Sequence, residues 1–194
     1  MRDTFNRMIG KTRYIVSRLF LNLNGSDVAP ILGILNRVAR EAIDTEGDIE
    51  ELGEGLVDIC QTILQYDQYW HSASNEGDVF WNEGEAGDYF NELFTDSAQR
   101  YGADLQLDSS SELLSLPVTR NIMIMITIAC EGEVPDIETD LSNRQALKEG
   151  LKAIINLHYK HKLRAIQVHF SPARLGDELT NDQLLEYYPE LIPL

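Results

Sequence analysis

The stretch from Asn121 to Cys130, N-I-M-I-M-I-T-I-A-C, determines the fold class that we predict for this chain. Nearly every side chain in it is apolar, which is typical of a strand that is covered on both faces. One face carries Ile122, Ile124, Ile126 and Ile128, and the other carries Met123, Met125, Thr127 and Ala129. We therefore predict an α+β fold with this stretch as its buried central strand.

The residues around this strand predict a β-α-β-α unit over residues 117–194. Ser142 and Gln145 form a capping-box pattern ahead of an amphipathic helix. Alternating side chains over 163–170 predict a second strand, and another capping pattern at Thr180 predicts a short last helix. This order of elements is typical of a right-handed crossover unit, in which the two strands are parallel.

Two strands alone are only marginally stable in water, so this unit needs another strand. We expect a third strand from Asp104 to Leu107. The alternative is a homodimer in which the open edge of the sheet pairs with a second copy of the chain.

The first hundred residues predict helices. Residues 3–23 place apolar and basic side chains at helical intervals, so we expect an amphipathic helix with a cationic face. A second helix over 28–43 has a wide apolar stripe that must be buried, and a third begins near Asp48. We therefore divide the chain into a helical part over 1–102, a Ser- and Asp-rich linker over 103–116 and the β-α-β-α unit.

Aromatic and acidic side chains are interleaved from Tyr66 to Tyr101, a stretch that holds nine of the sixteen aromatic residues. Helical spacing begins at Ala86, and Gly102 suits the position just after a helix end. Several glycines precede Ala86, so we expect a loop there between two helices. Aromatic residues at helical spacing are usually part of the core. The alternative is a surface that binds sugars, cations or a partner.

The chain has 194 residues, with 32 carboxylates against 16 Lys plus Arg, and a formal net charge of −16. This charge is segregated, because residues 1–40 carry a net +5, residues 41–142 carry −22 and residues 143–194 carry +1. Nucleic-acid binding needs clustered positive charge, so we exclude a nucleic acid as the main partner. The acidic block must be solvated, paired with the basic block or directed at a cationic partner.

The sequence predicts a soluble protein of a reducing compartment, the cytoplasm. Its longest apolar stretch, Ile122 to Cys130, is far shorter than the ~20 residues of a membrane span. Charges interrupt the first apolar run, so we expect no secretory leader. Cys60 and Cys130 lie in apolar surroundings and form no C-x-x-C pair, which favours a core role and argues against a disulfide scaffold.

Candidate chemistry is sparse. The sequence contains no signature of a nucleophile elbow, a nucleotide-binding loop or a zinc protease. His158 and His161 share a helix face among basic neighbours, and we predict no metal site and no cofactor. Glu131 and Glu133, followed by Asp136, lie at the end of the buried strand, where open sheets often place ligands. A polar exit from the strand is the alternative interpretation of these carboxylates.

Four stretches resemble one protein family: YDQYWHSAS at 66–74, EAGDYFNELF at 85–94, EGEVPDI at 131–137 and DELTNDQLLEYYPELIPL at 177–194. They are similar to the family labelled domain of unknown function 1517, found in cyanobacteria and chloroplasts, and the likeness spans roughly residues 48–194. The resemblance implies a photosynthetic setting, in the cytoplasm or chloroplast stroma and peripheral to the thylakoid membrane. Many relatives carry a Gly-rich stretch and a membrane span, and both are missing here. The resemblance supplies no catalytic residues.

We predict a non-enzymatic adaptor, assembly or regulatory protein that docks on a larger protein complex. Its candidate contacts are four basic residues for an anionic surface or partner and three aromatic anchors: Arg7, Lys11, Arg13, Arg18, Trp70, Phe80 and Trp81. The alternative is a sensor that binds a small molecule or an ion through Glu131, Glu133 and Asp136. An enzyme whose catalytic residues are dispersed along the chain is a third hypothesis.

Overall fold

A computed structural model describes residues 10–107, 120–174, 177 and 179–194. Its strands are β1 (Tyr14–Asn24), β2 (Trp70–Phe80), β3 (Asn121–Glu131), β4 (Leu163–Ser171) and β5 (Ile192–Pro193). Its helices are α1 (Ala29–Asp44), α2 (Ile49–Gln65), α3 (Glu83–Leu107), α4 (Arg144–Tyr159) and α5 (Asn181–Tyr187), with a 3₁₀ turn at Asp67–Tyr69. The predicted α+β class is confirmed. Within the described ranges, no helix is long and apolar enough to cross a lipid bilayer.

The strands form one sheet in the order β4-β3-β1-β2-β5, and all neighbouring strands are antiparallel. The isoleucines of β3 lie on one face, where they pack with residues of α1, α2 and α4 in the main core. Met123 and Met125 lie on the other face with Phe20 and residues of α5. On this second face, Val16 and Ala129 pack against α3. The predicted strand and its burial on both faces are therefore confirmed, whereas the central position in the sheet belongs to β1.

The amphipathic helix predicted over 3–23 is wrong, because Tyr14–Asn24 forms β1 between β2 and β3. Residues 3–9 of that prediction lie outside the described residues. β1 is buried on both faces, so neighbouring positions such as Leu19 and Phe20 are both apolar. Such a run fits the stripe of a helix as well as it fits a fully buried strand. Hydrogen bonding to a strand on each side selects the strand.

A strand, β2, also replaces the loop predicted between Tyr66 and Ala86. Gly77 pairs with Ser17 of β1 and marks a close approach of the two backbones. A Cβ atom at Gly77 would lie 2.5 Å from the carbonyl oxygen of Val16. The glycine that suggested a loop is therefore part of the strand pairing.

The linker prediction is wrong at its start, because α3 continues through Gly102 to Leu107. The third strand expected over 104–107 is accordingly helical. The remaining linker residues, 108–116, lie outside the described part of the chain. β1 and β2 supply the additional strands that the β-α-β-α unit needs, so a single sheet joins the two parts into which the sequence was divided.

The predicted right-handed crossover is wrong as well, because β3 and β4 are antiparallel. The helix between them, α4, is capped by Asn143 and not by Ser142: the Asn143 side chain accepts a hydrogen bond from an N–H of the first turn. Two other predicted caps are confirmed. Asp48 accepts hydrogen bonds from the first turn of α2, and Thr180 forms a capping box with Gln183.

Replacing Gly77 by alanine is expected to lower the free energy of unfolding by about 1–3 kcal/mol, because the added Cβ forces β1 and β2 apart. Gly87 of α3 is the matched control, since a Cβ there meets no atom within 4 Å. Gly87→Ala should raise stability by up to about 1 kcal/mol through helix propensity. Urea unfolding followed by circular dichroism measures both variants. A Gly77→Ala protein as stable as the wild type would contradict the close strand approach.

Candidate functional site

Arg18 is the buried charge on the α3 side of the sheet, with 2% of its surface exposed. Its guanidinium donates hydrogen bonds to Glu76 of β2, to the Leu93 carbonyl oxygen at 3.0 Å and to the Ser97 hydroxyl at 2.8 Å. An Asp96 carboxylate oxygen lies 2.7 Å away. These bonds fasten α3 to β1 and β2. The prediction that Arg18 contacts a partner is therefore corrected: its guanidinium is satisfied inside the protein.

The aromatic candidates belong largely to the core. Trp70 is 2% exposed, and its indole N–H donates to the Ile63 carbonyl oxygen at 3.0 Å. Phe80 packs against Tyr89, with ring centroids 5.4 Å apart, in the cluster beneath α3. Trp81 is half-buried just after β2. Trp70 thus offers no surface to a partner, which corrects its prediction as an interface anchor.

The basic candidates that the structure describes do not form one cationic face. Arg13 pairs with the Glu138 carboxylate and donates to the Gly132 carbonyl oxygen at 2.8 Å. Lys11 is exposed, and Arg7 lies outside the described residues. Arg13, like Arg18 of β1, therefore forms its ion pair within the chain.

The three predicted ligand-binding carboxylates come together in one cleft. Glu131, Glu133 and Asp136 line a cleft of about 420 Å³ between the end of β3 and α4. Three lysines line the same cleft: Lys152, Lys160 and Lys162. Glu131 lies 2.9 Å from Arg164 and 4.0 Å from Lys162. Among the described residues, no group of three His, Cys, Asp or Glu side chains is placed to hold a metal ion.

The two cysteines are core residues. Burial raises the pKa of Cys60 to about 12 and that of Cys130 to about 12. Both side chains therefore remain protonated thiols at neutral pH, the form that does not act as a nucleophile. The predicted core position of Cys60 is confirmed.

An apolar groove runs along the free edge of β4, a surface that the sequence analysis did not identify. In the described part of the chain β4 pairs with β3 alone, so its second edge is open. Ile166, Val168 and Phe170 form the β4 side of a groove of about 150 Å³. α1 and α2 supply apolar walls that include Ala39 and Leu52.

This groove continues into an acidic cleft of about 450 Å³ between α1 and α2. Val38, Ala42 and Leu52 line both the groove and the cleft. Gly55 lets the two helices approach closely there, because a Cβ at this position would lie 2.7 Å from a methyl group of Val38.

One sequence signal pointed to the groove. The apolar stripe of α1 was predicted to be buried throughout, yet its C-terminal end is not: Ala39 is exposed and Ile43 is 79% exposed. The stripe is longer than the core that it covers, and the surplus adjoins the groove. The other walls come from segments distant in sequence, so no local pattern could join them.

A family model described as "Protein of unknown function (DUF1517)" matches residues 13–194. The matched residues include all five described strands, β1 among them. This finding confirms the resemblance seen in the sequence and extends it toward the N-terminus. No match was found among curated proteins or among solved structures.

His169, on β4, makes the stability of the fold depend on pH. Its ring lies on the α3 side of the sheet, 5.9 Å from the Phe94 ring between centroids. Burial, reinforced by the positive charge of Arg18, lowers the pKa of His169 below its usual value. The unfolded chain therefore binds a proton more readily than the folded chain. Stability should fall as the pH drops below about 6.5, the ordinary histidine pKa.

We expect His169→Gln to lose less stability than the wild type between about pH 7.5 and pH 5.5, because it lacks the group whose protonation favours unfolding. Urea midpoints measured across this range test the difference. His71→Gln, at an exposed position of β2, is the matched control and should follow the wild-type curve. Parallel curves for the wild type and His169→Gln would contradict the lowered pKa.

Proposed function

Because the chain belongs to the DUF1517 family, whose function is unknown, we propose its function from the geometry of the molecule. It is a non-enzymatic adaptor, assembly or regulatory protein that docks on a larger protein complex. The observation that carries this proposal is the uncovered edge of β4 beside an apolar groove.

The two edges of the sheet are protected differently. At one edge β2 pairs with β5 at Ser72 and Ala73. Asn75, farther along β2, donates to the Thr139 carbonyl oxygen and accepts a hydrogen bond from the Leu141 N–H. β4 has no comparable cover among the described residues. Natural proteins protect edge strands against unwanted pairing, so an uncovered edge favours strand addition by a partner.

The size of the groove adds a second argument. The adjoining groove of about 150 Å³ has the size at which apolar cavities admit a benzene ring. It therefore accommodates one large apolar side chain of the partner.

The proposed contact lies away from the residues that the sequence suggested. Arg18 and Trp70 are internal, and the basic helix that motivated a membrane-surface contact is replaced by β1 over residues 14–24. A photosynthetic setting, peripheral to the thylakoid membrane, remains an expectation from the family resemblance. A homodimer through the open edge of β4 is the competing occupant of the same surface.

A sensor of small molecules is the second proposal, and the shared cleft of Glu131, Glu133 and Asp136 favours it. The lysines opposite these carboxylates give the cleft mixed charge. It therefore suits a small molecule with both charges better than a bare cation. This function uses the end of β3 and is independent of the β4 edge.

Two glutamines in the groove should abolish docking while preserving the fold. Ala39→Gln/Ala42→Gln places polar side chains against the apolar walls, and helix propensity tolerates glutamine. Leu185→Gln, at a position that is 74% exposed on α5, is the matched control. The tagged wild type and both variants are used to capture partners from native lysate at several salt concentrations. Each captured protein is then tested as a purified pair by size-exclusion chromatography with light scattering.

The proposal expects a binary complex that the wild type and Leu185→Gln form and the groove variant does not. Complexes of equal strength with all three proteins, or no binary complex, would overturn docking at this surface. A wild-type dimer that the groove variant loses identifies a second copy as the occupant, and this outcome also overturns docking on another protein.

The sensor proposal predicts that a ligand raises the melting temperature, because a ligand that binds only the folded state stabilises it. At a concentration of 100 times Kd the gain is about 2.7 kcal/mol. Thermal shift across divalent cations, amino acids and phosphorylated metabolites measures this gain. Glu133→Gln should remove the shift, whereas Glu85→Gln, on the exposed face of α3, should retain it. Unchanged melting temperatures across the panel would end this proposal.

A further inference from the structure

The acidic cleft beside the groove carries more negative charge than its own cation neutralises. Its charged lining consists of five carboxylates and one arginine: Glu41, Asp44, Glu51, Glu54, Asp58 and Arg37. Arg37 lies 2.8 Å from Glu41 and 2.8 Å from Asp58, so it is fully engaged. Asp44, Glu51 and Glu54 have no ion pair with any described residue. Three uncompensated carboxylates therefore face the solvent in one concave surface.

This acidic surface begins where the apolar groove ends. Val38, Ala42 and Leu52 form a floor common to both, so a bound segment can pass from one to the other along apolar contacts. At its far side, the groove is bordered by the open edge of β4. An extended segment of a partner would thus meet a strand edge, then a pocket for an apolar side chain, and then a concentration of negative charge.

We infer that the occupant of this surface is a segment of another protein that adds to β4, places an apolar side chain in the groove and continues with a run of Lys or Arg into the acidic cleft. This inference rests on the proposed docking function and specifies the chemistry of the partner. The apolar side chain supplies affinity through burial. The basic run supplies attraction that accelerates association and weakens with salt.

Electrostatic repulsion disfavours the other candidate occupants of this surface. A second copy of the chain carries the same acidic cleft beside its own β4 edge, so pairing of the two edges brings like charges together. Anionic lipid surfaces and nucleic acids are repelled for the same reason. A basic segment is the one occupant whose charge complements the whole surface.

The test uses the purified full chain and three fluorescein-labelled peptides. The first alternates Val and Thr around one Phe and ends in a run of Lys and Arg. The second has Glu in place of the basic residues, and the third has Ser in place of Val and Phe. Fluorescence anisotropy gives Kd at low and at physiological salt. We expect the first peptide to bind at least about tenfold more tightly than either of the others, a difference of about 1.4 kcal/mol, and to weaken as salt is added.

Variants of the protein separate the contribution of the acidic cleft to peptide binding from that of the groove. Glu51→Gln/Glu54→Gln should raise the Kd of the first peptide about tenfold and reduce the dependence of that Kd on salt. Glu85→Gln/Glu92→Gln, which removes the same charge from exposed positions of α3, is the matched control and should bind like the wild type. Ala39→Gln/Ala42→Gln should weaken binding of the first peptide, because it places polar side chains in the groove. Thermal melts verify that every variant is folded.

The possible outcomes distinguish the inference from the proposed function. Equal binding of the basic and acidic peptides, with both lost in Ala39→Gln/Ala42→Gln, overturns the basic partner and keeps docking at the groove. Binding of the first peptide that Ala39→Gln/Ala42→Gln leaves unchanged overturns docking there. No binding of any peptide overturns the inference, and a wild-type dimer that the groove variant loses then assigns the surface to a second copy.

Discussion

The burial of β1 between β2 and β3 is the constraint on which the rest of the structure depends. β1 pairs along its length with both neighbours, from Tyr14, opposite Phe80 and Glu131, to Leu23. Because both of its faces are buried, each is covered by a separate layer. α1, α2 and α4 cover one face, and α3 and α5 cover the other. The two helical layers thus follow from one strand.

The burial of β1 also explains how part of the acidic charge of the chain is neutralised. Arg18 lies in the middle of β1, and carboxylates of β2 and α3 meet its guanidinium. Arg100 of α3 pairs with Asp96 and with Glu190 near the C-terminus. Some of the acidic block is therefore neutralised within the fold. The cleft between α1 and α2 is different, since much of its charge faces solvent without a partner among the described residues.

Several local signals predict the structure correctly, although the cap of α4 lies one residue after Ser142 and α3 continues past Gly102, whereas the signals that depend on strand pairing do not. The caps at Asp48 and Thr180 and the two faces of β3 are properties of short stretches, so their patterns survive in the sequence. The sequence of β1 predicts a helix because burial on both faces removes the alternation that identifies a strand. In β2, Gly77 is typical of a loop by sequence, and only its close approach to the backbone of β1 explains a glycine in a strand.

The candidate sites divide in the same way. The three carboxylates at the end of β3 are close in sequence, and they line one cleft as their spacing suggested. The groove could not be predicted, because its walls are helices and a strand from opposite ends of the chain. An open strand edge is also invisible in a sequence, since it depends on which strands have already paired. Only the surplus apolar length of α1 hinted at it.

The pairing of β1 with β3 has a consequence for how the protein is made. Ser17 lies opposite Ile128, so β1 leaves the ribosome long before its partner is synthesised. At translation rates of about 5–20 residues per second, the delay is on the order of ten seconds. During this time an apolar strand has no β3 to cover it, and long-range pairing of this kind is slow to form. The nascent chain therefore exposes an apolar strand with one edge unpaired until β3 emerges.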